Sequence, residues 1–238
     1  MVLQDLFDDL VYGEFSDIAL GTGALGTLPE ASYPRIASFI NMGLRDLYKK
    51  FILRKKEIKL YYQTGIYTYY LRSDYVGPVN SLGPNVYLVE DDNNVFDNSI
   101  VKVIAAYDSD EDKLPLNAPK DDTSLFTPAY DIIKLPVTDP PSMVTLVYQS
   151  YYPKILITTG FDPEEYELHF PSFIENALLA FVASRHFKGK KIKRADGSTT
   201  NHNTFLSMYG RACKELEQDG FAEESDDDRD RFTDNGWV

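Results

Sequence analysis

Phe170-Pro171-Ser172-Phe173-Ile174-Glu175-Asn176-Ala177-Leu178-Leu179-Ala180-Phe181-Val182-Ala183-Ser184-Arg185-His186-Phe187 is the stretch that decides the fold of this chain. Residues 166–170 read as a short strand that hands over to an apolar helix. Ser172 followed by Glu175 has the spacing of a capping box, in which hydroxyl and carboxylate satisfy each other's backbone amides. Gly189 stands where a helix C-cap is expected. A second helix is predicted over residues 201–219, with Phe205, Tyr209, Ala212 and Leu216 in one stripe and Gly220 as its stop. Between the two helices Arg185, Lys188, Lys190, Lys191, Lys193 and Arg194 crowd together, and no acid occurs from Asn176 to Ala195. The helix pair holds no recognisable catalytic machinery. It reads as a packing device.

Upstream the same period returns. Residues 2–12 form a short amphipathic helix with Leu3, Leu6, Phe7 and Leu10 on one face. After a glycine-rich loop, a long helix over residues 29–53 carries Ile36, Phe39, Ile40, Leu44, Leu47 and Phe51 at helical spacing. Arg54-Lys55-Lys56 suits its C-terminus, where cations meet the negative end of the dipole. From Glu57 the period becomes two. Ile58, Leu60 and Tyr62 alternate, Thr64-Gly65 makes a turn, and residues 66–71 return as the second strand of a hairpin. Further strands are predicted at 86–89, 100–107, 132–135 and 143–151. The expected class is α+β: a helical bundle formed by N- and C-terminal helices, an inserted all-β domain, and an extended acidic C-terminal tail. The expected divisions are 1–56, 57–170, 171–220 and 221–238.

The 238 residues are 43% hydrophobic, enough for one large or two small cores, and the formal net charge is −13. That balance argues against a surface that grips nucleic acid everywhere. The acid is concentrated at the end, where Asp219, Glu223, Glu224, Asp226, Asp227, Asp228, Asp230 and Asp234 face only Arg229 and Arg231. Cys213 is the only cysteine, which excludes an intrachain disulfide. Asp5, Asp8 and Asp9 take the place of a basic signal-peptide region, and the longest apolar run is too short for a bilayer. A soluble protein made in a reducing compartment is expected, with no membrane contact.

Each candidate for chemistry has a plainer reading. Gly21-Thr22-Gly23-Ala24-Leu25-Gly26 spells the dinucleotide fingerprint, which works only between a strand and a helix aimed at a pyrophosphate. Here no strong strand precedes it, Thr27-Leu28-Pro29 intervenes, and no βαβ alternation follows, so a loop is expected. Asp108, Asp110 and Asp112 match the first ligands of a calcium loop, but Lys113 stands at the glycine position and Pro119 at that of the bidentate glutamate. His169, His186 and His202 lack metal-ligand spacing. No catalytic residue, cofactor or metal site is expected, and no enzyme. The tyrosines at 61, 62, 67, 69, 70 and 75 suit strands; an alternative is a carbohydrate- or nucleic-acid-binding module that uses them as a stacking sheet. The basic cluster is either a solvated turn at a helix end or a contact for an acidic surface.

The order of these parts, with Ala177-Leu178-Leu179-Ala180-Phe181-Val182-Ala183-Ser184-Arg185 and Tyr209-Gly210-Arg211-Ala212-Cys213-Lys214-Glu215-Leu216, resembles the head-to-tail adaptors (tail tubular protein A-like) of short-tailed phages and their crAss-like relatives. The similarity is concentrated in residues 39–53 and 170–221. The long acidic tail and enlarged tyrosine-rich β region depart from the pattern. The resemblance implies a virion protein at the head–tail interface, made in the bacterial host cytoplasm. It implies a twelvefold homo-oligomeric ring under the portal protein that seats the tail nozzle or other neck ring proteins, with DNA passing through unread. Docking residues expected on that reading are Arg185, Lys188, Lys190, Lys191, Lys193 and Arg194, together with Phe232 and Trp237 of the tail.

Overall fold

The computed structural model describes residues 1–14, 28–90, 95–188, 191–193 and 199–221, with only the backbone described at 191–193 and 199–201. Among these described residues the fold is mixed α/β, with four α-helices and antiparallel sheets. It divides into two compact units, one made of Met1–Leu53 with Lys154–Val238, the other of Arg54–Pro153. The acidic tail after Phe221 and the motif Gly21–Gly26 lie outside the described residues.

In the first unit α1 (Leu3–Asp9) runs into a π-turn (Leu10–Glu14), and Leu3, Leu6, Phe7 and Leu10 are buried. Helix α2 (Tyr33–Lys50) follows a 3-10 turn at Glu30–Ser32, so the regular helix is shorter than the predicted 29–53. Pro34 in its first turn fits, because its missing N–H falls among the amides a helix start leaves unbonded. Helix α3 (Glu175–His186) packs against α2 and against α4 (His202–Gln218). α3 buries Ala177, Leu178, Ala180, Phe181, Val182, Ala183, Ser184 and His186, which is why it is apolar almost all round. On α4 the seam is Phe205, Tyr209, Cys213 and Leu216; Cys213 takes the place expected for Ala212, which is only half-buried.

Two expectations at the entry to α3 fail. Residues 166–170 are not a strand: they make a single antiparallel bridge, Val2 with Glu167, and the N–H groups of Leu3 and Leu168 donate to Tyr166 and Met1. The segment therefore pins the chain start, and its period-two pattern has only two residues of backbone to pair with. The Ser172–Glu175 box does not form either. Residues Ser172–Ile174 adopt a 3-10 turn, neither it nor α3 has a side-chain cap, and the Glu175 carboxyl instead meets Asp9 of α1. A tertiary contact displaces the local one.

The second unit contains, among its described residues, no α-helix. Its five-stranded sheet has the order β3 (Leu88–Val89), β1 (Lys55–Tyr61), β8 (Met143–Ser150), β4 (Ile100–Tyr107), β5 (Lys113–Leu114). A second sheet has the order β2 (Thr68–Tyr70), β7 (Ile132–Lys134), β6 (Phe126–Ala129). Ile58, Leu60, Tyr69, Leu71, Tyr87, Leu88, Ile133, Val144, Leu146 and Tyr148 join in one core. The hairpin predicted around Thr64-Gly65 is corrected. The turn exists, with Gly65 at φ 84°, but β1 pairs with β3 and β8 while β2 pairs with β7. The reason lies in Tyr69, whose hydroxyl accepts from Gln63 N–H at 2.8 Å and donates to the Ile66 carbonyl at 2.8 Å. These bonds satisfy backbone groups that a tight hairpin would have paired across strands.

Candidate interaction surface

The basic cluster begins where α3 ends. Phe187 and Lys188 N–H groups donate to Ala183 and Arg185 carbonyls, at 3.0 and 3.4 Å, and close the helix. The chain then enters β9 (Lys191–Lys193), paired with β10 (Thr199–Asn201) so that Lys193 stands opposite Thr199 and Lys191 opposite Asn201. β10 leads directly into α4. Arg185 and Lys188 thus stand at the end of α3, and Lys191 and Lys193 on the strand pair that precedes α4. Gly189, Lys190 and Arg194 lie outside the described residues, as do Phe232 and Trp237.

Packing under this end is aromatic. Phe187 stacks on Phe205 with ring centroids 5.2 Å apart, and His186 meets the Phe187 ring edge-on. His202 Nδ1 donates to the Ser184 carbonyl at 2.7 Å, and Ser184 Oγ donates to the Phe181 carbonyl. The guanidinium of Arg185 lies 5.0 Å from the Phe181 ring, which in turn meets Tyr209 edge-on. Such a cation keeps its charge while its stem covers apolar surface.

On the other side of that aromatic pair is an arrangement with no sequence signature. Lys50 Nζ lies 2.8 Å from Asp46 Oδ2 and 4.6 Å from the Tyr209 ring, and it donates to the Tyr209 hydroxyl at 3.1 Å. Tyr209 donates to Asp46. Burial raises the Asp46 pKa, but hydrogen bonds from Lys50 and Tyr209 and the Lys50 charge outweigh it and bring the carboxyl below its ordinary value. Burial and the bond to Asp46 push the Tyr209 hydroxyl far up, and burial raises the Cys213 thiol. A raised thiol pKa leaves little thiolate and so little nucleophilicity. The group ties α2 to α4. Sequence spacing supplies only the Asp46–Lys50 half.

The remaining candidates resolve into local structure. Asp108 Oδ1 accepts from the N–H groups of Asp110 and Asp112, both at 2.9 Å, so the aspartates build a turn after β4. His169 is exposed and 3.5 Å from Glu167. Among the described residues no three His, Cys, Asp or Glu side chains are placed to hold a metal, and no helix is long and apolar enough to cross a membrane. Tyr69 and Tyr87 are buried and meet edge-on at 4.9 Å; Tyr75 stacks on Tyr87. Tyr69 and Tyr87 are core, with hydroxyls bound to backbone, which removes these two from any stacking platform; Tyr61, Tyr62, Tyr67 and Tyr75 are partly buried, and Tyr70 is exposed. A shallow polar cavity of about 210 Å³ lies beside them, lined by Arg72, Asp74, Asn98, Tyr130 and Asp131 among others. There Arg72 Nε and Nη2 both bond Asp131 Oδ2, at 3.0 and 2.9 Å. The cavity's main cation is already paired.

No model of a known protein family matches this sequence, and no curated protein matches it.

Proposed function

We propose that this chain is a structural virion protein of a tailed bacteriophage: a head-to-tail adaptor or neck ring protein that extends the portal channel and attaches the tail. The carrying observation is the path of the chain. α2 from its first part and α3 and α4 from its last pack together, and residues 54–153 form a separate unit reached and left once. We read this as a helical bundle with an inserted β domain, the architecture that the sequence resemblance implies. A basic hairpin arm at one end of the helices and an acidic tail supply two different complementary patches, which a head-to-tail ring interface requires. An excess of acid also keeps a channel lining from adhering to phosphate. On this reading the chain forms a closed ring, twelvefold in the family it resembles, between the portal protein and the nozzle or other neck rings. It performs no catalysis and binds no cofactor. Cryo-EM of the parent particle is the test: density for the chain in a ring at the head–tail junction supports the reading, and its location anywhere else refutes it.

A further inference from the structure

The polar cavity of the β unit is built from three separate stretches of chain: residues 71–74 after β2, Asn98 and Ile100 at the start of β4, and Tyr130 and Asp131 in the turn between β6 and β7. Leu71 and Ile100 are buried and give it an apolar floor, while the rest of its lining carries polar groups. Bonds among the walls fix their positions. Asn98, held at φ 58°, accepts the Ser73 N–H at 2.7 Å and donates through Nδ2 to Ser73 Oγ at 2.8 Å. The Leu71 N–H donates to the Asp131 carbonyl at 2.8 Å. Both bonds from Arg72 end on Asp131 Oδ2. The second carboxylate oxygen, on a residue only 8% exposed, and the Nη1 amino group of the guanidinium thus keep their capacity for a ligand. The Tyr70 ring backs that guanidinium at 5.1 Å, and Tyr130 stands at the rim, 63% exposed.

We propose that this cavity binds a neutral saccharide, with one pyranose ring entering it and resting its apolar face against Tyr130. Every sugar hydroxyl both donates and accepts, and the lining offers both: donors on Arg72 and Asn98, acceptors on Asp131 and Asp74, and hydroxyls on Ser73 and Tyr130 that do either. Bonds to the ionised groups are the stronger ones, and an exposed aromatic ring supplies apolar contact to the C–H face of the sugar. Charge and size select among ligands. Two carboxylates against one guanidinium leave the cavity net acidic, which disfavours phosphate, sulfate and uronate. A cation gains little, because Asp131 already meets Arg72 and Asp74 is exposed, where an ion pair contributes weakly. The volume of about 210 Å³ is below the roughly 300–1,000 Å³ of pockets that enclose a drug-sized molecule, so it suits one ring rather than a nucleotide. The site stands independently of the neck-ring reading.

Saturation-transfer NMR on the full chain tests this, with the methyl glycosides of glucose, galactose, mannose and N-acetylglucosamine as probes and methyl glucuronide as their anionic counterpart. At least one neutral glycoside should receive saturation and titrate with a dissociation constant on the order of 1 mM, as a small shallow site allows. Tyr130→Ala and Asp74→Asn change exposed side chains and should each weaken that binding about tenfold, with the melting midpoint unchanged. Tyr12→Ala removes a similarly exposed tyrosine of the helical unit and should leave binding as it was. The proposal is overturned by an absence of transfer to all four neutral glycosides, by binding that both cavity variants leave intact, or by preference for the glucuronide. A chain located in neck rings that takes up no saccharide would refute this site and leave the functional reading standing.

Discussion

Gly43 on α2 faces Leu178 on α3 so closely that a Cβ at residue 43 would stand 2.7 Å from Leu178 Cδ1, and 3.0 Å from Phe181 Cδ1. Leu178 is fully buried and Phe181 nearly so, so a Cβ at residue 43 would have to push these side-chain ends aside within packed surroundings. α2 and α3 are held in contact by the absence of a side chain.

Gly43→Ala should therefore fail to stabilise the helical unit. A helix-interior alanine gains about 1 kcal/mol over glycine, while overpacking a tight core costs about 1–3 kcal/mol, so the net effect runs from about zero to a loss of about 2 kcal/mol. Gly210→Ala on α4 is the control, since nothing lies within 4 Å of a Cβ there and residue 210 is exposed. It should raise stability by up to about 1 kcal/mol. Urea unfolding of both variants checks the pair; equal shifts would mean that the α2–α3 approach is looser than described.

Ala180 is 3% exposed at the centre of α3. Ala180→Glu places an unpaired charge among buried side chains and should cost several kcal/mol, on the order of 3–5. Loss of the cooperative melting transition, or a large fall in its midpoint, is the expected result. Unchanged melting would show that this face of α3 is not core.

Those two positions also mark how far the sequence was legible. Apolar spacing located α2, α3 and α4 and gave β4 its observed bounds of Ile100–Tyr107, because period reports which face is buried. It does not report partners. The alternation on either side of Thr64-Gly65 was real, yet β1 and β2 went to different sheets, a choice made by Tyr69 and by strands far away in sequence. The two-residue strand β5 and the bulged β6 carry too few residues to show a period. Gly43 was invisible for a related reason: a glycine in a helical pattern reads as a weakness until its neighbour is known. In the candidate surface, the charge of the arm and tail was plain, whereas Tyr209 bridging Asp46 and Lys50 needed the packed helices to appear.

The displaced capping box has a pH consequence. Burial first, then the hydrogen bond to Asp9 and the charges of Asp9 and Asp5, raise the Glu175 pKa above its ordinary value of 4.5. The folded state then holds this proton more tightly than the unfolded chain does. Its contribution to stability falls as pH rises from the unfolded value through the raised folded one, and stays low above it. Glu175→Gln should thus be more stable than the parent at neutral pH, with the difference vanishing as pH drops toward 4.5. Unfolding midpoints of both proteins across this range decide it; a difference independent of pH would assign the effect to packing instead.

Two tyrosines of the β unit should respond in opposite ways to loss of a hydroxyl. Tyr69 Oη accepts the Gln63 N–H and donates to the Ile66 carbonyl, so Tyr69→Phe takes that partner from two part-buried backbone groups at the turn after β1. The expected cost is about 1–3 kcal/mol, the penalty for polar groups left without partners. Tyr148 is fully buried, yet its hydroxyl has no hydrogen-bond partner among the described residues. Burial accordingly pushes its pKa up, with Asp97 adding to the shift and Arg54 opposing it. Here the wild-type side chain already bears the desolvation penalty, and Tyr148→Phe keeps the ring that meets Phe96 edge-on at 5.9 Å. That variant should be neutral or slightly more stable. Chemical denaturation of the two single variants and of the double variant measures both terms, which should add, because the hydroxyls share no partner in the structure. A substantial loss in Tyr148→Phe would mean that its hydroxyl is bonded in solution, and that the polar group formed by Lys56, Asp97 and Ser99 beside it extends further than its present contacts.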